Sequence, residues 1–452
     1  MDRPSVPKNL RPLGSPKVNR RIMAIAWPVM LSALSQALLT NIDFVMVGQI
    51  STDALAAVGV AGTFMTIFFI VGNSLSFGLS TCVSMRLGEQ DRATAGRVAV
   101  HGLIFGVLLG LALFATCRSV LGLVFGSMDL EPAVRQLTLD YSRVFVFGLL
   151  VSALGGMAGA TFGAYTKTRP VLIASLIMVA VNLVGDYVLI FGKLGFPAMG
   201  VRGAAWASVS AVFCSTAYLL VMLACSVQAF ELSLPRSPAA FGRTVATILR
   251  LGISTTIEWS LWFVGVFVIT VWLSPFGAVP LALFHVSIKV QNFLMLAVRG
   301  FVVANNAMIG RAHGGRQPRR IALWHHHNLR LGYISIIPGL LLLLVFPGWL
   351  FGWFIPLEEL EQIGSPWWLG VAVAGVLVVR MINTIAGSSL RSVGVVTFFV
   401  YLLLASQGLA LGTGLLTLKG AAWGFWGALL ATAVDESFRA AVSAVKLRRM
   451  IN

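Results

Sequence analysis

Apolar residues run through this chain in long blocks, without the short alternation that gives a soluble helix or strand one wet face. Twelve such blocks lie near residues 22–47, 54–80, 94–117, 134–162, 170–191, 201–225, 246–273, 279–310, 321–346, 366–388, 394–414 and 420–441. Each approaches or exceeds the roughly 20 residues that carry a helix across a hydrocarbon core of about 30 Å. The pattern predicts an all-α polytopic membrane protein with twelve transmembrane helices.

The blocks fall into two sets of six. Gly203-Ala204-Ala205-Trp206 opens the sixth and Gly420-Ala421-Ala422-Trp423 the twelfth, while basic loops beginning at Arg86 and Arg311 follow the second and the eighth. The offsets, 217 and 225 residues, nearly agree, which implies two pseudo-symmetric six-helix lobes in the same orientation. The expected division is a basic cytoplasmic lead (1–21), an N-lobe (22–226), a linker carrying Pro235 and Pro238 (227–245), a C-lobe (246–441) and a basic tail (442–452). Gly102, Gly106 and Gly110 in the third block, and Gly155, Gly159 and Gly163 in the fourth, recur every four residues. That spacing suits close helix packing, with helix mobility as the alternative.

Composition agrees with the pattern, because a chain with 11% charged residues and a mean hydropathy of +0.88 has too little polar surface to be soluble. The net charge of +17 raises the question of nucleic acid, yet the basic residues lie between apolar blocks and form no single patch. Topology accounts for them. With the N-terminus inside, the cytoplasmic loops collect Arg86, Arg92, Arg97, Lys167, Arg169, Arg236, Arg243, Arg311, Arg316, Arg319, Arg320 and Arg391, and the opposite loops hold few basic residues. Both termini are therefore expected in the cytoplasm, with the chain as a monomer in the inner (plasma) membrane. Cys82, Cys117, Cys214 and Cys225 lack any metal or redox spacing.

Ionisable side chains inside apolar spans are costly, so each is a candidate for function. Asp43 and Asp186 lie near the outer ends of the first and fifth spans, about 8 to 9 Å inside the boundary at 1.5 Å per residue. Asn182 precedes Asp186 by one turn and shares its face, and Ser208 lies somewhat deeper on the sixth span. Two carboxylates in a poorly hydrated pocket repel one another, which favours a bound proton. The same oxygens with an amide and a hydroxyl also suit sodium. An interfacial Asp43 and a loop-capping Asp186 remain the bland alternative. Pro28, fifteen residues before Asp43, removes a backbone donor and either bends the first helix or is a static kink.

In the second half Glu258, Arg299 and Arg380 fall in mid-span at similar depth and are expected to form a buried pair or triad. Lys289 and Gln291 lie nearby and shallower. His325, His326 and His327 are consecutive on a helix and so point apart, which argues against a metal site. No GxxxxGK[ST] loop occurs, so hydrolysis of ATP by this chain is unsupported.

Several ordered segments then carry a resemblance. Ala26-Trp27-Pro28, Asn41-Ile42-Asp43, Asp53-Ala54-Leu55-Ala56-Ala57-Val58, Arg86-Leu87-Gly88-Glu89, Asn182-Leu183-Val184-Gly185-Asp186 and Met199-Gly200-Val201-Arg202-Gly203-Ala204-Ala205-Trp206-Ala207-Ser208 together resemble the multidrug and toxic compound extrusion (MATE) family, and its DinF-like prokaryotic branch in particular. The resemblance spans nearly the whole chain and is stronger in the N-half. It implies export of a cationic or amphipathic small molecule in exchange for H+ or Na+, by alternating access, with neither a catalytic residue nor a cofactor. It also implies that Asp43, Asn182, Asp186 and Ser208 form a cation-coupling cluster, and that the helix of Pro28 bends when that cluster is protonated. Ser208 stands where the family usually has Thr. Glu258 falls about one turn earlier than the family's carboxylate in the seventh span, and the mid-span Arg299 and Arg380 depart from a generic drug exporter and leave room for an anionic or zwitterionic substrate. A lipid-linked precursor flippase and a membrane enzyme or subunit of an ATP-driven complex are the competing readings.

Overall fold

The computed structural model describes residues 16–128, 130–234 and 237–451, so Arg3, Lys8, Arg11, Pro235 and Arg236 lie outside the described residues. Every long element among them is a helix: α1 (Pro16–Gly48), α2 (Thr52–Gly88), α3 (Arg92–Ser127), α4 (Pro132–Phe145), α5 (Phe147–Ala164), α6 (Arg169–Phe191), α7 (Val201–Ala224), a short α8 (Val227–Phe230), α9 (Pro238–Leu273), α10 (Ala278–Leu294), α11 (Leu296–Gly314), α12 (Pro318–Val345), two short helices α13 (Pro347–Gly352) and α14 (Leu357–Ile363), α15 (Pro366–Ser392), α16 (Val396–Gly414) and α17 (Phe425–Ile451).

Helix ends follow local chemistry. Ser51, Asp91 and Ser237 accept the amide hydrogen of the residue three further on, at 3.0, 2.9 and 3.2 Å, and so cap α2, α3 and α9. Proline occupies the first turn of α4, α9, α12 and α15, where its missing N–H is not needed. Gly192 ends α6 in the left-handed conformation at φ 66°.

Ten helices among the described residues are long and apolar enough to cross a membrane, and α10 with α11, bent by 49° at a short break, forms an eleventh span. The twelfth expected span corresponds to α17, which is 27 residues long and carries Asp435, Glu436 and Arg439 within its apolar stretch. The expected fourth and eighth spans are both interrupted, at Val146 and at Met295, whereas α2, the counterpart of α10–α11 in the other half, runs unbroken for 37 residues. The repeat is thus one of arrangement more than of helix shape.

The halves meet where α1 and α2 cross α9 and α11. Contacts concentrate toward the side of the chain termini. Gly300 lies against the Ala26 carbonyl, Gly78 against that of Ile248 and Gly314 against that of Met85; at each a Cβ would overlap backbone. Ser74 and Thr256 hydroxyls are 2.5 Å apart, and Thr81 donates to Asn306 Oδ1 at 2.9 Å. Gly106 and Gly110 similarly let α3 approach α5, whereas Gly159 meets open space.

Candidate functional site

Three of the four residues expected to couple ions in the N-half, Asp43, Asn182 and Asp186, come together at the end of α1 and α6 remote from the termini. Asn182 donates through Nδ2 to Asp43 Oδ1 at 2.9 Å and to Asp186 Oδ2 at 2.6 Å, so one amide bridges carboxyls from two helices. The two carboxyl groups are thus held next to each other by a shared donor. Such a contact is attractive only with a proton between them, since two ionised carboxylates repel strongly in a low dielectric.

Asn182 and Asp186 are buried and Asp43 is half-buried. Asp186 Oδ1 has no hydrogen-bond partner despite its burial. An orphaned carboxyl oxygen at depth is costly unless a proton or ion satisfies it. Ser208, on α7, makes no hydrogen bond to the carboxylates; its hydroxyl lies beside the buried Tyr141 of α4, whose ring sits within electrostatic reach of both Asp43 and Asp186. Tyr141 was not singled out in the sequence, because a tyrosine near a span end reads as an interfacial anchor.

Below this cluster, α1 passes through the buried Pro28 without ending. Thr168 donates to the Ile25 carbonyl at 3.0 Å and Ser175 to the Ser32 carbonyl at 3.3 Å. Side chains from the α6 region therefore bracket the stretch of α1 in which proline disrupts the hydrogen-bond ladder. The part of α1 before Pro28 is held against α11, while Leu38, Phe44 and Val45 beyond it are exposed.

In the C-half the expected grouping of Glu258, Arg299 and Arg380 is not the one observed. Glu258 pairs with Arg391 at 2.5 Å and Arg439 at 3.5 Å, and Arg380 with Glu436 at 3.7 Å. Arg439 also contacts Asp435 and, at 3.3 Å, Glu436, which accepts from Asn383 at 2.7 Å. Arg391, expected in a cytoplasmic loop, is buried at the end of α15, with its guanidinium over Phe399 and, across the junction of the halves, over Phe77. The acidic partners come from α17. Their signal was present as three charges within the last apolar block, and only the fold shows which helices they face.

Arg299 stays apart. It has no carboxylate partner among the described residues, and the charged group recorded within its electrostatic reach is Arg380. Lys289 is exposed and Gln291 buried, the latter lining a small cavity of about 30 Å³ with Trp262, Arg380, Gln407, Asp435 and Glu436. The three histidines diverge: His325 bonds Ser389 at 3.0 Å, His326 the Ala322 carbonyl at 2.8 Å and His327 Asn19 at 2.8 Å. No cluster of three residues suited to a metal occurs among the described residues.

Relatives point the same way as this geometry. A multidrug resistance protein named NorM from Thermotoga maritima is 25% identical over 299 residues, covering 66% of this chain and 64% of its own length. One from Chromobacterium violaceum is 32% identical over 195 residues, covering 42% of this chain and 41% of its own. The chain thus spans less than two thirds of the length of either. A MATE family transporter in an outward-facing conformation superposes with a TM-score of 0.86 at 18% identity over 96% of both chains. A MOP superfamily transporter from Pyrococcus furiosus does so with 0.85, at the same identity and coverage. These two establish the fold alone. The family model described as MatE matches residues 28–188 and 255–424, one stretch in each half and together well over half of the sequence, and the chain belongs to that family.

Proposed function

We propose that the protein is a secondary active exporter of small molecules in which Asp43 and Asp186 bind a coupling proton. The carrying observation is the pair of carboxyls on two different helices, held by one Asn182 amide and leaving Asp186 Oδ1 unpartnered. An amide that turns its N–H₂ toward both carboxyls favours a proton over sodium, which needs oxygen lone pairs from its neighbours. Without a proton, repulsion pushes the Asp43 segment of α1 away from α6; with one, the two draw together. Because α1 is anchored to α11 below Pro28 and loosely packed above it, that change reads out as movement of its outer part. Proton and substrate that favour opposite arrangements of this segment exchange across the membrane by alternating access.

The relatives named as multidrug resistance proteins support export as the direction and small molecules as the cargo. The coupling residues, the lobe boundaries at 226 and 246, cytoplasmic termini, an inner-membrane location and a monomeric state are part of this reading. Purified protein in liposomes tests it, with proton and sodium gradients imposed separately and a panel of cationic, neutral and anionic compounds supplied. The expected result is uptake or efflux driven by the proton gradient and lost in Asp186→Asn. Transport that persists at wild-type rate in both Asp43→Asn and Asp186→Asn overturns the reading.

A further inference from the structure

The charges inside the C-half do not balance around Arg299. Glu258, Asp435 and Glu436 are matched by Arg380, Arg391 and Arg439, which leaves Arg299 as a further guanidinium with no acid of its own. It is exposed, although it lies at the start of α11 in the middle of a span. A guanidinium facing hydrocarbon at that depth is prohibitively placed, so its exposed side faces water within the protein. Arg380 stands within electrostatic reach, donates to Asn292 Oδ1 at 2.8 Å, and lies 5.4 Å from the Trp262 ring. Asn292 and Lys289 are exposed one turn apart on α10, and Arg299 follows Asn292 by two turns beyond the bend.

From this arrangement we infer that the α10–α11 bend carries an anion-binding subsite, in which Arg299 and Arg380 receive the carboxylate or phosphate of a bound compound while Trp262 meets its apolar body. An oxyanion there offsets the positive charge that Arg299 leaves unpaired, and each guanidinium offers the paired N–H geometry that matches two oxygens of such a group. Asn292 fixes Arg380 from one side and Glu436 from the other, so Arg380 is already oriented before the ligand arrives. Lys289 adds positive potential at the entrance. The inference deepens the export reading by assigning an acidic or zwitterionic class of compound, and it rests on that reading only for the consequence of binding.

The test is equilibrium binding to the full chain in nanodiscs, with no gradient, so that a failure of ion coupling leaves it intact. The probes are 2-naphthoate and 2-naphthylmethylammonium, which share an apolar body and differ in charge. Wild-type protein is expected to bind naphthoate at least about tenfold more tightly than Arg299→Gln does, with Arg299→Lys intermediate because it keeps the charge and loses the paired donors. Naphthoate binding unchanged in Arg299→Gln, or tighter binding of the ammonium compound by the wild type, overturns the subsite. If Arg299→Gln does not purify as a single species, the Arg299→Lys comparison decides on the same criterion. Nanodiscs with and without phosphatidylglycerol separate the source of the anion: displacement of naphthoate by that lipid assigns the subsite to a headgroup, and equal affinity in both assigns it to a soluble compound.

Discussion

Asp186 is the residue on which the N-half turns. Its Oδ2 accepts from Asn182 at 2.6 Å and its Oδ1 accepts from nothing, inside a span where water is scarce. Asp43, Asn182 and Asp186 were legible in the sequence because acids rarely survive in apolar runs and because a four-residue spacing puts the latter two on one face. Tyr141 was not, since nothing local marks a tyrosine as facing inward; only the fold brings its hydroxyl to Ser208. Tyr141→Phe removes the phenolic hydroxyl beside Ser208, a polar contact worth roughly 0.5 to 1.5 kcal/mol. The expected outcome is a weakening of about 2- to 10-fold in the apparent affinity for the coupling ion, read from the dependence of liposome transport on the imposed gradient. The C-half was less legible. Pairing is a property of three-dimensional neighbours, and the partners of Glu258 are Arg391 and Arg439, 133 and 181 residues away.

At the scale of helices, the junction between halves rests on glycines that let backbones touch. Gly314 abuts the Met85 carbonyl, whereas Gly159 in the middle of α5 faces open space. The two should respond oppositely to a single methyl group. Gly314→Ala forces α11 away from α2 and is expected to cost about 1 to 3 kcal/mol, seen as a lower melting temperature in detergent. Gly159→Ala is expected to leave the melting temperature unchanged or to raise it, because alanine is the better helix former by about 0.5 to 1 kcal/mol. The existence of the long helices was read well from apolar block length, but α3 runs to Ser127 and α17 to Ile451, each past its expected end at 117 and 441. The breaks at Val146 and Met295 were not, since neither carries a proline or glycine to announce it.

For the whole molecule, orientation is the property that the basic loops foretell. Cys225, exposed at the end of α7, reports on it, while Cys82 and Cys117 are buried. If the termini are cytoplasmic, a membrane-impermeant maleimide labels Cys225 in inverted vesicles and spares it in intact cells. Labelling from the outside of intact cells overturns that orientation. The same view explains why two similar halves carry different chemistry: one keeps a small acidic site on α1 and α6, and the other spends its charged groups holding α9, α15 and α17 together.

That network has a consequence for how the chain is made. Asp435, Glu436 and Arg439 lie on α17, which leaves the ribosome after α9 and α15, and each charge near the centre of a helix costs roughly 2.5 to 3.5 kcal/mol to place in lipid by itself. Glu258 on α9 and Arg391 on α15 are already in the membrane by then and pair with each other, whereas Arg380 on α15 lacks its acid, Glu436, until α17 arrives. Insertion of α17 is therefore templated by the helices before it, and its translation completes the charge balance of spans made much earlier. Glu258→Gln is expected to lower the yield of membrane-inserted protein more than it lowers transport per inserted molecule, measured by surface quantitation beside liposome assays, which would make quality control in the cell, and not catalysis of transport, the first process to register a fault there.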